Sequence, residues 1–203
     1  MPTKNVVANQ SGGSTKVEAE YLQDTGERQT VDGPHIHKTQ RSASRRAESL
    51  AARIEGGAAG LEAFAQGLSE TEWGTPISTG DRRTVGVIVH HVATMYPIEV
   101  DIARTVASGK SVSDVTWEAV AQLNAKHAGD NAQVSKSAAL ELLQQNSRKA
   151  AAAVRAFTDQ ELDNAAPFSL SFGAPVTAQF VIEDHAMRHS WHHLAAIRKA
   201  LGR

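Results

Sequence analysis

The sequence has 203 residues, 41% of them hydrophobic, which is enough for one domain with a substantial core. Its 21 Lys and Arg residues nearly balance its 22 Asp and Glu residues, giving a formal charge of −1 at pH 7. This balance argues against the basic surfaces typical of nucleic-acid binding and of polybasic membrane attachment. The chain contains no cysteine, which excludes disulfides, a thiolate nucleophile and Cys-ligated zinc. We therefore expect neither a nucleic acid nor a membrane as a partner.

The sequence shows no targeting pattern. Its first residues lack the apolar segment of a secretory signal, and no stretch approaches a transmembrane length of about 18 consecutive apolar residues. On this basis we predict a cytoplasmic protein.

Residues 1–40 differ from the rest of the chain. They are polar, contain the run Ser-Gly-Gly-Ser and show no sustained helical period. The pattern predicts a flexible or loosely docked N-terminal extension over residues 1–40, followed by one folded domain over residues 41–203.

Deleting residues 1–35 is therefore expected to shift the melting temperature by no more than about 5 °C, because the extension offers no apolar pattern to the core. Thermal melts followed by circular dichroism would measure the shift. Loss of the far-UV helical signal in the truncated protein would show that the extension is part of the fold.

Four long segments have apolar residues at the three- and four-residue spacing of amphipathic helices: residues 42–68, 83–108, 135–157 and 177–201. A shorter helix is predicted from Trp117 to about Lys126, and residues 168–172 look like a brief extended piece. In the second helix Asp81 is the candidate N-cap, and Pro97 should kink or divide the helix. The pattern predicts an all-α four-helix bundle with short connecting helices.

Histidine is concentrated in the last predicted helix. Four of the nine histidines fall within nine residues: His185, His189, His192 and His193. His185 and His189 are four residues apart, so their side chains lie on one helix face, and two such imidazoles can hold one metal ion. His189 and His193 form a competing pair with the same spacing.

The second predicted helix supplies a third inward histidine. Its apolar face contains His91 and Glu99, whereas His90 falls on a more polar face. A buried neutral histidine needs partners for both ring nitrogens; a metal supplies one, and a carboxylate can orient the other. Three inward histidines from two helices match a three-histidine metal site with one open position. The alternative is a metal-free bundle whose histidines only form hydrogen bonds.

These motifs resemble the DinB/YfiT-like superfamily of metalloenzymes. The resemblance lies in the run Arg-Thr-Val-Gly-Val-Ile-Val-His-His-Val at residues 83–92 and in the run His-Ala-Met-Arg-His at residues 185–189. It implies a four-helix bundle of DinB/YfiT type over the folded domain. It also implies one ligand histidine on the second helix and an HxxxH pair on the last.

The resemblance implies that His91, His185 and His189 are the metal ligands. It favours His91 over His90 because the family histidine follows a Thr-Val start by about two turns. It favours His189 over His193 because the spacing from His189 to the Leu-Gly near the C-terminus fits the family motif and that from His193 does not. His193 stands where the family often has glutamine, which makes it a candidate extra ligand or proton shuttle. Trp117 and Asn124 resemble a stretch of the thiol-dependent branch.

The resemblance further implies a divalent-metal enzyme with a small-molecule substrate, and the imidazole ligands favour zinc or nickel. In the thiol-dependent branch the open coordination position binds a low-molecular-weight thiol such as mycothiol, bacillithiol or glutathione, giving an S-transferase. A carboxylate of that thiol could pair with Arg82, Arg83 or Arg188, although surface salt bridges are the ordinary role of such residues.

Three further predictions concern rival functions and partners. Glu99 is the candidate catalytic base if the protein is instead a metal-dependent hydrolase, and otherwise a hydrogen-bond partner of a ligand histidine. Another alternative is a metal-binding stress-response or interaction protein without turnover. Met187 and Trp191 form a second apolar column on the last helix, which together with the family resemblance predicts a homodimer.

Overall fold

A computed structural model of the protein describes residues 44–203, so the predicted extension over residues 1–40 lies outside the described residues. Four long helical segments form the bundle: α1 (Arg45–Gln66), α3 (Val85–Ala107), α5 (Lys136–Arg155) and a last segment from Ala178 to Ala200. α1 packs on α5 and on the last segment, and α3 also packs on both. The predicted all-α bundle is confirmed. None of the described helices combines the length and the apolarity that crossing a bilayer requires.

Each long helix begins at a hydroxyl cap, which satisfies a backbone N–H that has no partner within the helix. The side chains of Ser44, Thr84, Ser135 and Thr177 each accept a hydrogen bond from the backbone N–H three residues later. The second helix thus begins at Thr84, and the prediction that Asp81 is its cap is wrong. Asp81 instead accepts hydrogen bonds from the backbone and side chain of Arg83.

Pro97 lies inside α3, which continues past it, so of the predicted kink or division the division does not occur. A proline cannot donate to the carbonyl four residues earlier, which here belongs to Ala93. The side chain of Asn146 on α5 donates to that carbonyl at 2.9 Å. The polar residue that interrupts the apolar stripe of α5 therefore satisfies the group that Pro97 leaves without a partner.

Short elements connect the long helices. They are α2 (Glu70–Trp73), α4 (Trp117–Asp130), α6 (Asp159–Asp163) and the antiparallel strands β1 (Ala165–Pro167) and β2 (Pro175–Thr177). The expected extended piece at residues 168–172 is instead a 3₁₀ turn, Ser169–Ser171, between the two strands. No residue of α4 is buried, so this helix lies on the bundle without contributing to its core.

The last long segment is not a uniform α-helix. It consists of α7 (Ala178–Val181), a π-helical stretch (Ile182–Met187) and α8 (Arg188–Ala200). A π-helix bonds each residue to the fifth one along, and such stretches are frequent at functional sites. His185 lies in the π-helical stretch, whereas His189 and His193 lie in the regular turns of α8. The regular i, i+4 stacking of side chains therefore applies to His189 and His193, but not to His185 and His189.

Candidate metal centre

Three histidines from two helices meet inside the bundle. His91 on α3 and His189 and His193 on α8 each offer one ring nitrogen, and these atoms all lie within 4.8 Å of one another. The Nε2 atoms of His91 and His189 are 3.2 Å apart. His91 is only 5% exposed, as its position on the apolar face of α3 predicts. This group, His91, His189 and His193, is called the three-histidine cluster below.

Glu99 fixes the orientation of one member of the cluster. It lies two turns after His91 on the same face of α3, is buried, and accepts a hydrogen bond from Nδ1 of His189 at 2.5 Å. Because Nδ1 of His189 donates to a carboxylate, its Nε2 carries the lone pair that faces His91. Glu99 Oε2 is buried and has no hydrogen-bond partner among the described residues. Among the described residues, the contact of Oε1 with His189 is therefore the hydrogen bond that holds this carboxylate.

The surroundings keep the cluster in the protonation state that binds metals. Burial, reinforced by the neighbouring His189, lowers the pKa of His91 to about 3 and that of His193 to about 2. Both rings are therefore neutral near pH 7. Neutral imidazole is the form that coordinates a metal ion.

The donor set fits a divalent transition metal. In a tetrahedral site with metal–nitrogen distances of about 2.0–2.1 Å, two ligand nitrogens lie roughly 3.3 Å apart. The 3.2 Å between the Nε2 atoms of His91 and His189 is close to this value. A carboxylate that receives the second ring N–H of a ligand histidine is the usual outer partner in such sites. An uncompensated carboxylate as deeply buried as Glu99 is also costly, and a nearby cation would offset that cost.

The structure brings together two of the three predicted ligands. His185 lies outside the three-histidine cluster: its Nε2 is 3.9 Å from a carboxylate oxygen of Asp184, and its ring meets the ring of Phe168 edge-on. The predicted set of His91, His185 and His189 stays a prediction, and the geometry adds His193 in the place of His185. The His189–His193 spacing was visible in the sequence, but the π-helical stretch that sets His185 apart was not.

A second pair of histidines lies beside the cluster. Nδ1 of His90 is 2.9 Å from Nε2 of His127 on α4, and the His127 ring also meets the ring of His91. The sequence pattern predicts that His90 lies on a more polar face, and it gives no signal for His127. Nothing in the polar pattern of α4 indicates that His127 reaches the site, since only the tertiary contact reveals it.

A cavity of about 460 Å³ opens beside the cluster, between α3, α4 and the last helical segment. Glu99, His185 and all three members of the cluster contribute to its wall. Two of the three candidate arginines, Arg83 and Arg188, also line the cavity. Arg83 forms an ion pair with Asp81, and Arg188 forms one with Asp184. Arg82 is exposed and does not line the cavity.

The fold is that of a helical bundle whose clustered histidines could hold a divalent metal ion, and comparison with known proteins identifies its family. The profile of the DinB superfamily matches residues 53–197, and the chain belongs to this superfamily. The solved structure of YfiT from Bacillus subtilis is similar, with a TM-score of 0.63 and 21% identity over 82% of this chain and 93% of that one. YfiT is described as "a probable metal-dependent hydrolase with an unusual four-helix bundle topology". A comparison with curated protein sequences found no match.

Acid is expected to destabilise the metal-free protein. His91, with its pKa lowered to about 3, stays neutral when folded, whereas unfolded histidine binds a proton below about pH 6.5. Unfolding therefore takes up a proton between these values, and stability falls as pH falls through this window. His91 alone should cost about 2 kcal/mol on going from pH 7.5 to pH 5, a range in which ordinary carboxylates stay ionised.

Urea unfolding in the presence of a chelator at the two pH values would measure this loss. The variant His91→Gln, whose side chain does not titrate, should lose less stability over the same range. Equal urea midpoints for the native protein at both pH values would contradict the buried neutral histidine.

Proposed function

We propose that the protein is a divalent-metal-dependent enzyme that joins a low-molecular-weight thiol to a small electrophile. The observation that carries the proposal is the three-histidine cluster at the wall of a cavity large enough for an organic molecule, since ligand pockets span roughly 300–1,000 Å³. Zinc and nickel are the proposed metals because both suit imidazole ligands. The fold alone does not define a reaction, so the argument rests on the site.

In this proposal His91, His189 and His193 hold the metal, and Glu99 acts as a positioning residue. A divalent ion bound there would lower the pKa of a coordinated thiol or water molecule and so supply a nucleophile near neutral pH. Glu99 fixes the tautomer and the ring orientation of His189 through the hydrogen bond to Nδ1.

Because the sequence contains no cysteine, the nucleophilic thiol of the proposed reaction is that of the cosubstrate. In the transfer, the thiol loses its proton to solvent and its sulfur forms a bond to an electrophilic carbon of the acceptor. The leaving group departs from that carbon with its electron pair. No oxidant or reductant is required.

The test is a conjugation assay with chlorodinitrobenzene as the electrophile and with mycothiol, bacillithiol and glutathione as alternative thiols. The zinc- or nickel-loaded protein should form the conjugate and release chloride. The rate should fall to background after chelation and in the variant His91→Ala. A loaded protein that conjugates none of these thiols would contradict the proposal.

Metal-dependent hydrolysis is the second candidate, because the similar structure of YfiT is described as that of a metal-dependent hydrolase. Glu99 would be the base in such a reaction, but its contact with His189 favours the positioning role. Chelator-sensitive hydrolysis of ester and amide substrates, without thiol conjugation, would favour this candidate. Retained metal without either activity would favour a binding protein. The homodimer and the cytoplasmic location remain part of the proposal.

A further inference from the structure

The cavity beside the three-histidine cluster has one strongly apolar wall. It is formed by large apolar side chains of α3 and α4: Met95, Ile98, Ile102, Trp117, Val120 and Leu123. Trp117 is 61% exposed and Leu123 is 44% exposed, so both leave much apolar surface in contact with water. Apolar surface that faces a pocket is what a ligand of matching character covers.

Ile102 of α3 also packs against the core, but the α4 members of this wall do not belong to it. α4 contributes no buried residue, and its principal packing contact is with α3. Within residues 44–203, packing in the core therefore does not explain the exposed apolar side chains of Trp117 and Leu123. The His90–His127 contact holds the later part of α4 beside the metal centre, which keeps this wall in place along the cavity.

Both arginines that line the cavity in the described part of the chain have a carboxylate neighbour. Within residues 44–203, the arginines that line it are Arg83 and Arg188. The Arg83 guanidinium donates to both carboxylate oxygens of Asp81, at 2.6 to 3.1 Å. Nε of Arg188 lies 3.3 Å from a carboxylate oxygen of Asp184 and donates to its backbone carbonyl at 3.1 Å.

The remaining charge at this end of the cavity is negative. Asp114 lines the cavity and accepts a hydrogen bond from the neighbouring Ser113, with no cation among its contacts in the described part of the chain. A charged acceptor would lose hydration on entry without gaining an unpaired cation on the α4 side. An uncharged acceptor has no such cost.

We propose that the electrophile taken by this enzyme is an uncharged molecule with an aromatic or branched apolar body, which packs on the α4 wall with Trp117 and Leu123 as specificity-determining residues. This inference rests on the proposed function, since it names the acceptor class of the same site. It places the body of the acceptor on the α4 side of the cavity and its reacting carbon on the side of the three-histidine cluster.

Two fluorescent probes that differ by a single charged group test the inference without any turnover. Phenylnaphthylamine is uncharged, and anilinonaphthalene sulfonate carries the same rings with one sulfonate. The neutral probe should bind the full-length zinc-loaded protein at least about tenfold more tightly, because rings packed on the α4 wall would place the sulfonate where no arginine without a carboxylate partner receives it. The same order should hold after chelation, because the α4 wall does not depend on the metal.

The matched variants are Leu123→Glu and Ala125→Glu. Both add one carboxylate to the exposed surface of α4, but Leu123 lines the cavity and Ala125 does not. Leu123→Glu should weaken binding of the neutral probe about tenfold, and Ala125→Glu should leave it unchanged. Circular dichroism of both variants would verify that the bundle is intact.

Tighter binding of the sulfonate probe, or binding of the neutral probe that Leu123→Glu does not weaken, would overturn the inference. If the neutral probe binds as expected while no thiol is conjugated, the result supports the apolar binding site and contradicts the proposed transferase reaction. The two failures are therefore distinguishable.

Discussion

Zinc is expected to stabilise the folded protein strongly, and loss of His91 is expected to abolish that effect. At a free zinc concentration about a hundredfold above the dissociation constant, binding to the folded state alone adds roughly 2.7 kcal/mol to the free energy of unfolding. For a domain of this size the melting temperature should rise by roughly 5–10 °C. Removing His91 takes away a buried nitrogen that lies 3.2 Å from its neighbour in the cluster.

Thermal unfolding with zinc and with a chelator would measure the effect in the native protein and in His91→Ala. The readout is the difference between the two conditions, so a loss of basal stability in the variant does not obscure it. His192→Ala is the matched control, since His192 is exposed on the same helix as two cluster members and does not belong to the cluster. An undiminished zinc effect in His91→Ala would show that the ion binds elsewhere.

The second large effect is expected at Glu99. Replacing it by glutamine keeps the size of the side chain but removes the negative charge that accepts the hydrogen bond from His189. Loss of such an outer partner typically costs about 10- to 100-fold in metal affinity. Competition with a chromophoric chelator would give the dissociation constants of the native protein and of Glu99→Gln.

Asp101→Asn provides the control for this experiment. It removes one carboxylate from α3 two residues away, at an exposed position that pairs with Arg104. Its zinc affinity should equal that of the native protein. If Glu99→Gln folds and binds zinc as tightly as the native protein, the positioning role of Glu99 is wrong.

Much of the fold could be predicted because it depends on local pattern. The apolar period located the four long helices, and the helical phase placed His91 and Glu99 on the inward face of α3. Both inferences use only residues within one helix. The possible division at Pro97 does not occur, and a side chain of another helix, that of Asn146, satisfies the carbonyl that the proline leaves free.

The candidate site could be predicted only in part, for a similar reason. The spacing of His185, His189 and His193 allows two pairs, and a regular α-helix does not choose between them. The π-helical stretch that contains His185 is a local departure from regular geometry that residue spacing does not reveal. His127 reaches the site through the packing of α4 on α3, which no periodicity within α4 records.

The measurement that tests the account most directly is zinc titration of His193→Ala and His185→Ala side by side by calorimetry. The two residues have the same chemistry and lie on the same helical segment, and both line the cavity. If His91, His189 and His193 hold the metal, His185→Ala should bind one zinc ion with nearly native affinity and His193→Ala should lose stoichiometric binding. Native binding by His193→Ala together with loss of binding by His185→Ala would contradict the three-histidine cluster as the metal site.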